Sequence, residues 1–533
     1  MQQKLQQAIQ FYQQGHRRQA EQICRNVLAH YPRQPDALHI LGLIEKDRGS
    51  LERARQLFQK GLKRAPKHVH LLNSTGLVEK LSGDFAKSEL YFRRALKVDP
   101  GFFQARYNLA NLFDSQREFS KAKRLYREVV KQQPNYVEAL ANLSSLLEAE
   151  HQLGDAQSFA NRALEINPDH YIARLTLANI AIRDKSFDEA VEILLPLLQS
   201  QKLSPVNYAV AAGKCAYAYE KLGEYQTAFS FYQDANQVLH KVHGPEMQNL
   251  ESLYAPGAIS FIDQAIPNFD FSCPAGDTVL PVFLIGFPRS GTTLLDQILS
   301  SHSHISVLEE KENLIDAYSR FPATADGLRD LENASAAELD QLRQKYWKNI
   351  SREINTSKST TLIVDKLPLN AIALLHIAKL FPGAKIIVAL RDPRDSVFSC
   401  FQQRFGMSQA MYQFLGLETA VAYYDQVMNV IVKIRDAKIF PMHFIRYENV
   451  IGKFEEEVSS LIDFLDLEWE DALRDYQVTA KSRHISTPSA SQVIQPLYTS
   501  SIGKWKHYQE WIGVSFDPLE KWVEEWGYKK APE

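Results

Sequence analysis

Cysteine is scarce in this sequence, long hydrophobic runs are missing, and neither sign of charge is in excess. The four cysteines, Cys24, Cys215, Cys273 and Cys400, lie far apart and form no CxxC pair. That spacing argues against a zinc cluster or a disulfide framework and in favour of a reducing compartment. The longest apolar run, Val279 to Phe287, is interrupted by Pro281. It falls far short of the about 20 residues that a membrane span needs. The opening Met1-Gln-Gln-Lys-Leu-Gln-Gln has no apolar core of the kind a secretory leader carries. We therefore expect a soluble, cytoplasmic protein with no membrane span. Lysine plus arginine number 61 and aspartate plus glutamate 63, giving a net charge of −2. That balance excludes nucleic-acid binding by bulk charge, although a local basic groove remains compatible with it. No group of His, Cys, Asp and Glu has metal-ligand spacing, so no metal is expected. What remains, 533 residues with 45% hydrophobic and 23% charged, is the composition of a folded globular chain of several domains.

Prolines stand at Pro32, Pro66, Pro100, Pro134 and Pro168, each 34 residues after the last. Ala20, Ala54, Ser88, Ala122, Ala156 and Ala190 keep the same period, as do Gly42, Gly76, Ala110, Ser144 and Ala178. Small residues let two helices approach closely, and a proline stops the second helix. This pattern resembles the tetratricopeptide repeat. A further unit with Ala216 and Ala228 follows a four-residue slip, giving about seven repeats over residues 1–245. The first helices of such a solenoid line its concave face. There Ser74, Asn108, Asn142 and Thr176 recur, with Asn111 and Asn179 three residues further on. These side chains either hold an extended peptide through their amides or bond locally within the array. The array is expected to be an interaction module for a protein or peptide client.

Residues 246–277 lose the repeat and contain Pro256, Pro267 and Pro274, which reads as a linker folding onto the next domain. Beyond it, apolar runs at Val279–Phe287, Thr361–Val364, Lys385–Leu390 and His443–Tyr447 alternate with helical stretches. That alternation predicts an α/β domain with a parallel sheet over residues 278–530. The first run leads into Gly286-Phe-Pro-Arg-Ser-Gly-Thr-Thr293 and then a helix, Leu294 to Ser301. Strand, glycine loop and helix together form an anion cradle. Thr292 stands where a nucleoside-triphosphate loop has lysine, so a kinase or NTPase is disfavoured. Arg289 can supply the missing charge and fork onto two oxygens.

Pro288-Arg-Ser-Gly-Thr-Thr293 resembles the phosphosulfate loop of sulfotransferases that use 3′-phosphoadenosine 5′-phosphosulfate (PAPS). Arg391 and Ser399 match the pair that holds the 3′-phosphate in that family. Two separate anionic ends of one ligand need two separate anion sites, and the sequence offers both. Arg391 could instead pair with a carboxylate such as Asp392, and Asp395 adds to the local acidity. The resemblance spans about 279–528 and is nearest to the tyrosylprotein sulfotransferases. Pro288 to Leu294, Glu309-Glu310, Lys366-Leu-Pro368 and Arg391-Asp-Pro-Arg394 follow in the family's order, as do Gln492-Val-Ile-Gln-Pro496 and Gly503-Lys-Trp505. Gln403 departs from an expected arginine, with Arg404 adjacent, and Ala490 from an expected serine.

The resemblance implies that Arg289, Ser290, Gly291, Thr292 and Thr293 hold the 5′-phosphosulfate. It also implies Arg391, Ser399, Tyr447 and Lys504 around the rest of the nucleotide. Glu310, 21 residues after Arg289, falls at the spacing of the family's catalytic glutamate; otherwise it belongs to a solvated acidic run, Glu309 to Glu312. Its neighbour Glu309 should point the other way on an extended segment. Lys366 is expected to stabilise the leaving oxygen, as a mobile point charge, or else to face solvent. His302 and His304 read as structural. Residues 320–356 read as an inserted helical segment, and residues 481–503 as a candidate lid. The resulting expectation is PAPS-dependent transfer of a sulfuryl group to a hydroxyl acceptor. That acceptor is a protein or peptide tyrosine recruited by the repeats, or a saccharide or small metabolite, with the repeats serving assembly. A non-catalytic repeat scaffold is the remaining alternative, and an oligomer is compatible with all three.

Overall fold

The computed structural model describes residues 1–200, 202–247, 252–273, 279–351, 362–478 and 501–529. The chain divides into two compact units, Met1–Gln201 and Lys202–Glu533.

The first unit is a run of consecutive helix pairs, from Gln2–Gln13 with Arg17–His30 to Tyr171–Arg183 with Phe187–Gln199. The 34-residue small positions sit where helices touch. Ala20, Ala54, Ser88, Ala122, Ala156 and Ala190 are all fully buried. A Cβ added at Gly42 would lie 2.1 Å from Phe58 Cε1, and one at Gly76 2.6 Å from Phe92 Cε1. Each periodic proline follows the end of a second helix, at His30, Arg64, Val98, Gln132 and Ile166. A further register, not read from the sequence, marks the turn inside each pair. Gly15, Gly49 and Gly83 take left-handed φ there, and Arg117, His151 and Lys185 do so at φ 61, 61 and 60°. Those three side chains occupy a conformation that costs about 1–2 kcal/mol without glycine.

The inner polar ladder is bonded locally. Asn108 Nδ2 donates to Asn73 Oδ1 at 2.9 Å, and Asn142 Nδ2 to Asn111 Oδ1 at 3.1 Å and Tyr107 Oη at 3.2 Å. Ser74 Oγ lies 2.8 Å from His39 Nε2, Thr176 Oγ1 donates to Ile172 O, and Asn179 Nδ2 to Glu148 Oε2. Ser74, Asn108, Asn142 and Asn179 thus bond to side chains of the preceding repeat, and Thr176 bonds within its own helix, which is the local bonding that one of the two readings expects.

In the second unit five strands form one parallel sheet. They are β1 (Val282–Gly286), β2 (Ile305–Glu309), β3 (Leu362–Lys366), β4 (Ile386–Leu390) and β5 (Met442–Arg446), in the order β2-β3-β1-β4-β5. β2 is absent from the strands read in the sequence, because its five residues end in a charged run that masks the apolar alternation. Parallel pairing sets all carboxyl ends along one edge: Gly286 opposite Ala389, and Glu309 opposite Lys366. β1 sits where the chain order reverses, the place at which open α/β sheets bind ligands.

The helix pair Pro205–Lys221 and Tyr225–Met247, read from the sequence as the last repeat, lies within this second unit. Its Ala216, Ala228, Phe229 and Tyr232 share one buried core with Phe283 and Ile285 of β1 and with Phe401. Packing therefore sets the division at 201/202, whereas the repeat period sets it at 245/246. Within the expected linker, the helix Pro256–Ala265 buries Ile259 and Ile262 in the same core; residues 248–251 and 274–278 lie outside the described residues. Residues 325–332 and 336–351 are helical, as the inserted segment requires. Among the described residues, no helix is long and apolar enough to cross a membrane.

Candidate active site

β1 delivers the chain into a loop, Phe287 to Gly291, and then into the helix Thr292–Ser300. Close approach of neighbours explains both glycines. A Cβ at Gly286 would lie 2.5 Å from Ala389 O, and one at Gly291, φ 96°, 2.7 Å from Tyr447 Cδ2. Between them Arg289 holds φ 71°, a left-handed backbone that must be over-determined by its surroundings. It is. Arg289 Nε donates to Ser399 Oγ at 3.0 Å, Arg391 Nη1 donates to Arg289 O at 3.0 Å, and Cys400 Sγ donates to Pro288 O at 3.3 Å. Left-handed turns beside a helix N-terminus turn successive amides into one concavity that favours anions.

The two cationic signatures, Arg289 and Arg391, thus meet across 102 residues of chain. Arg391 Nη2 also donates to Ser501 O at 2.5 Å, and its guanidinium lies 5.3 Å from the Tyr447 ring centre. Tyr447 Oη is 3.0 Å from Ser501 Oγ. Asp392 does not neutralise Arg391. It caps the helix Pro393–Gln402 through Arg394 N and accepts from Arg394 Nε and Nη2. Two buried polar atoms, Ser290 Oγ and Arg391 Nε, have no hydrogen-bond partner among the described residues. Orphaned donors at both signatures suit a ligand with more than one anionic group, so the residues present fit a phosphosulfate nucleotide.

The second cluster lies at the carboxyl ends of β2 and β3. Lys366 is fully buried, contrary to a solvent-facing lysine. Its Nζ is 3.3 Å from Asp296 Oδ2, 3.3 Å from Glu310 Oε1 and 3.9 Å from Glu309 Oε1. A buried ammonium requires such partners, because desolvation otherwise outweighs what packing returns. Glu310 takes φ 43° and donates its N–H to Lys366 O at 2.8 Å, the bond that closes the last β2–β3 pair, Glu309 with Lys366. The left-handed turn breaks strand alternation there. Glu309 was expected to point away, and instead both carboxylates reach the one ammonium. Alternation does hold on β3, where Asp365 accepts from Tyr346 Oη at 2.9 Å and Asn313 Nδ2 at 3.2 Å.

Asp296 was not singled out from the sequence. It is fully buried on the helix Thr292–Ser300 and accepts from Ser300 Oγ at 3.1 Å. An acidic residue in the apolar stretch Leu294-Leu-Asp-Gln-Ile298 was the available signal. Lys504 bonds two side chains of the second unit: its Nζ lies 2.8 Å from Glu220 Oε1 and 2.8 Å from Gln402 Oε1. Burial pushes its ammonium below the usual lysine range, and Glu220 offsets part of that. Arg404 donates to Asn236 Oδ1 at 2.6 Å and so serves the helix Tyr225–Met247. Burial holds it low, at about 10. Asp395 accepts from Gly503 N at 2.6 Å and Trp505 N at 3.0 Å, and burial raises its carboxyl. His302 is buried with Nε2 2.9 Å from Glu468 O, in line with a structural role. Ala490, Gln492 to Pro496 and most of the candidate lid lie outside the described residues. Among the described residues no group of His, Cys, Asp and Glu could hold a metal ion.

The sequence matches the model of the sulfotransferase family over residues 281–471. It matches tetratricopeptide repeat models over residues 5–69, 81–147 and 147–213. An uncharacterized protein of Aquifex aeolicus (strain VF5) is 26% identical over 362 residues, covering 65% of this chain and 45% of that protein. Protein-tyrosine sulfotransferase 1 of Danio rerio is 25% identical over 238 residues, covering 42% of this chain and 65% of that protein. Protein-tyrosine sulfotransferase 2 of Gallus gallus is 22% identical over 236 residues, covering 42% and 62%. The chain thus spans between 45% and 65% of the length of these curated relatives. Among solved structures, one described as functional characterization of Pseudomonas aeruginosa pilF is 17% identical. It covers 38% of this chain and 93% of that chain, with a TM-score of 0.35. The chain joins N-terminal tetratricopeptide repeats to a C-terminal domain of the sulfotransferase family, and its relatives include protein-tyrosine sulfotransferases.

Proposed function

We propose that the chain is a PAPS-dependent sulfotransferase acting on a hydroxyl acceptor, a tyrosine of a protein or peptide. PAPS supplies the sulfuryl group. The observation that carries the reading is the meeting of Arg289, Ser399 and Arg391, which joins the phosphosulfate loop to the 3′-phosphate signature. Arg289, Ser290, Gly291, Thr292 and Thr293 hold the phosphosulfate end through the loop amides, the helix N-terminus and their hydroxyls. Arg391 and Ser399 hold the 3′-phosphate, and Tyr447 lines the nucleotide.

Glu310 is the general base. Lys366 Nζ hydrogen-bonds its Oε1, which orients the carboxylate and leaves Oε2 to accept the acceptor's hydroxyl proton. Lys366, bonded to this base, also places positive charge where the departing oxygen gathers negative charge. Asp296 keeps that ammonium in register from the loop helix. The tyrosine acceptor is supported by the protein-tyrosine sulfotransferases among the relatives. The repeats offer the means to present a polypeptide.

The test is transfer of labelled sulfate from PAPS into tyrosine-containing acidic peptides by the full-length chain. Label should enter tyrosine, and Glu310→Gln should cut the rate by roughly a hundredfold or more. Label in a saccharide and not in tyrosine would overturn the acceptor. No label in any hydroxyl would overturn the reaction.

A further inference from the structure

The helix pair Pro205–Lys221 and Tyr225–Met247 grips the far end of the helix that carries Ser399. Asn236 Nδ2 donates to Phe401 O at 2.9 Å, and Arg404 Nη1 donates back to Asn236 Oδ1 at 2.6 Å. Glu220, with a side chain only 4% exposed, is the centre of this grip. One oxygen, Oε1, lies 2.8 Å from Lys504 Nζ. The other, Oε2, accepts from Gln402 Nε2 at 2.8 Å and Tyr508 Oη at 2.8 Å. Gln402 Oε1 in turn accepts from Lys504 Nζ at 2.8 Å, which closes a ring of three side chains.

That ring borders the proposed donor site on both sides. Gln402 lies three residues from Ser399, which bonds Arg289. Lys504 adjoins Gly503, whose N–H bonds Asp395, and lies three residues from Ser501, whose carbonyl accepts from Arg391. A buried carboxylate with every contact at hydrogen-bond length fixes its partners in place, and it is costly to keep unless it has them. No local sequence signal points to Glu220, which reads as an ordinary charged residue near the end of a repeat helix.

We propose that Glu220 is a positioning residue for donor binding. It holds Lys504 and Gln402 against the nucleotide site, so the last helix pair is a working part of the transferase and not a detachable end of the repeat array. This rests on the PAPS reading above. It predicts that Glu220 acts through Lys504, because the carboxylate itself would repel a phosphorylated ligand.

The experiment is calorimetric titration of the full-length chain with adenosine 3′,5′-bisphosphate, for wild type, Glu220→Gln, Lys504→Met and the double variant. Thermal melts are recorded alongside. Glu220→Gln and Lys504→Met should each weaken binding about tenfold. The double variant should be no weaker than Lys504→Met alone. Glu220→Asp, which keeps the charge, should recover much of the loss. A Glu220→Gln affinity within twofold of wild type overturns the inference, as do losses that add fully in the double variant. A lowered melting temperature with unchanged nucleotide affinity also overturns it, by assigning Glu220 to stability alone. Should Glu220→Gln fail to fold, Lys504→Met decides: nucleotide affinity equal to wild type overturns the inference. A wild-type chain that binds no nucleotide overturns the donor reading and this inference together, whereas wild-type binding with insensitive variants overturns this inference alone.

Discussion

Replacing Lys366 by methionine removes the one ammonium that Asp296, Glu309 and Glu310 share. The size of the effect follows from burial. Asp296 is fully buried and loses a cation at 3.3 Å. Breaking one partner out of a buried pair costs about 3–5 kcal/mol. Glu310 is one-third exposed, so solvent screens its share, and we expect a loss near the lower bound, about 3 kcal/mol. All six tryptophans lie between residues 347 and 526, so intrinsic fluorescence during urea unfolding follows the second unit alone. Lys366→Met should move the urea midpoint down by the equivalent of that energy. Adding Asp296→Asn to Lys366→Met should restore part of it, because one of the buried carboxylates that the ammonium compensated is gone. A Lys366→Met variant within about 1 kcal/mol of wild type would refute the claim that this lysine is buried and paired. So would a double variant less stable than Lys366→Met.

Gly291→Ala would place a methyl 2.7 Å from Tyr447 Cδ2 at φ 96°. Backbone strain of about 1–2 kcal/mol adds to that clash, so nucleotide affinity by calorimetry should fall at least tenfold; unchanged affinity would contradict the loop geometry. Lys185→Gly relieves a left-handed residue at φ 60° in the first unit, and a circular-dichroism melt should show a gain of about 1 kcal/mol. A loss would show that the turn is not strained. His376 is fully buried, with Nε2 2.8 Å from Phe321 O, and burial lowers its pKa from 6.5 to about 4. Folding excludes a proton that the unfolded chain takes up below about 6.5, so stability is lost as pH falls from there toward 4, by at most about 3 kcal/mol. His376→Gln should flatten that part of the fluorescence-monitored pH profile, and an unchanged slope would contradict the assignment.

The repeats and the anion loop were legible because each depends on residues a fixed distance apart. Gly42 against Phe58 and Ala122 in its buried seat follow from one period, and Gly286 to Thr293 from one turn. Arg289 and Arg391 could be read as two anion sites, but their union through Ser399 is a property of the sheet, which sets β1 beside β4. What the sequence hid were pairings between distant residues. Glu220 meets Lys504, 284 positions on, and neither residue's neighbours betray it. Asp296 stands alone as an acid in an apolar helix stretch, and its partner Lys366 lies on β3, 70 positions on. Glu309 misled because strand alternation was extended past the residue at which the backbone turns left-handed. The spacing of Asn108, Asn142 and Asn179 alone could not show that each bonds to the preceding repeat, because those partners lie 31–35 residues away. The division between units escaped for a related reason. Residues 205–247 keep the repeat pattern while burying their side chains in the core of the sheet domain.

The central claim is that Arg289 and Arg391 build one site for a nucleotide with two anionic ends, and a titration tests it most directly. Adenosine 3′,5′-bisphosphate added to the full-length chain should bind at one site per chain. Arg289→Ala and Arg391→Ala should each abolish that binding, and adenosine, lacking both phosphates, should not bind. No heat with the wild-type chain, or equal affinity in the two arginine variants, would contradict the account.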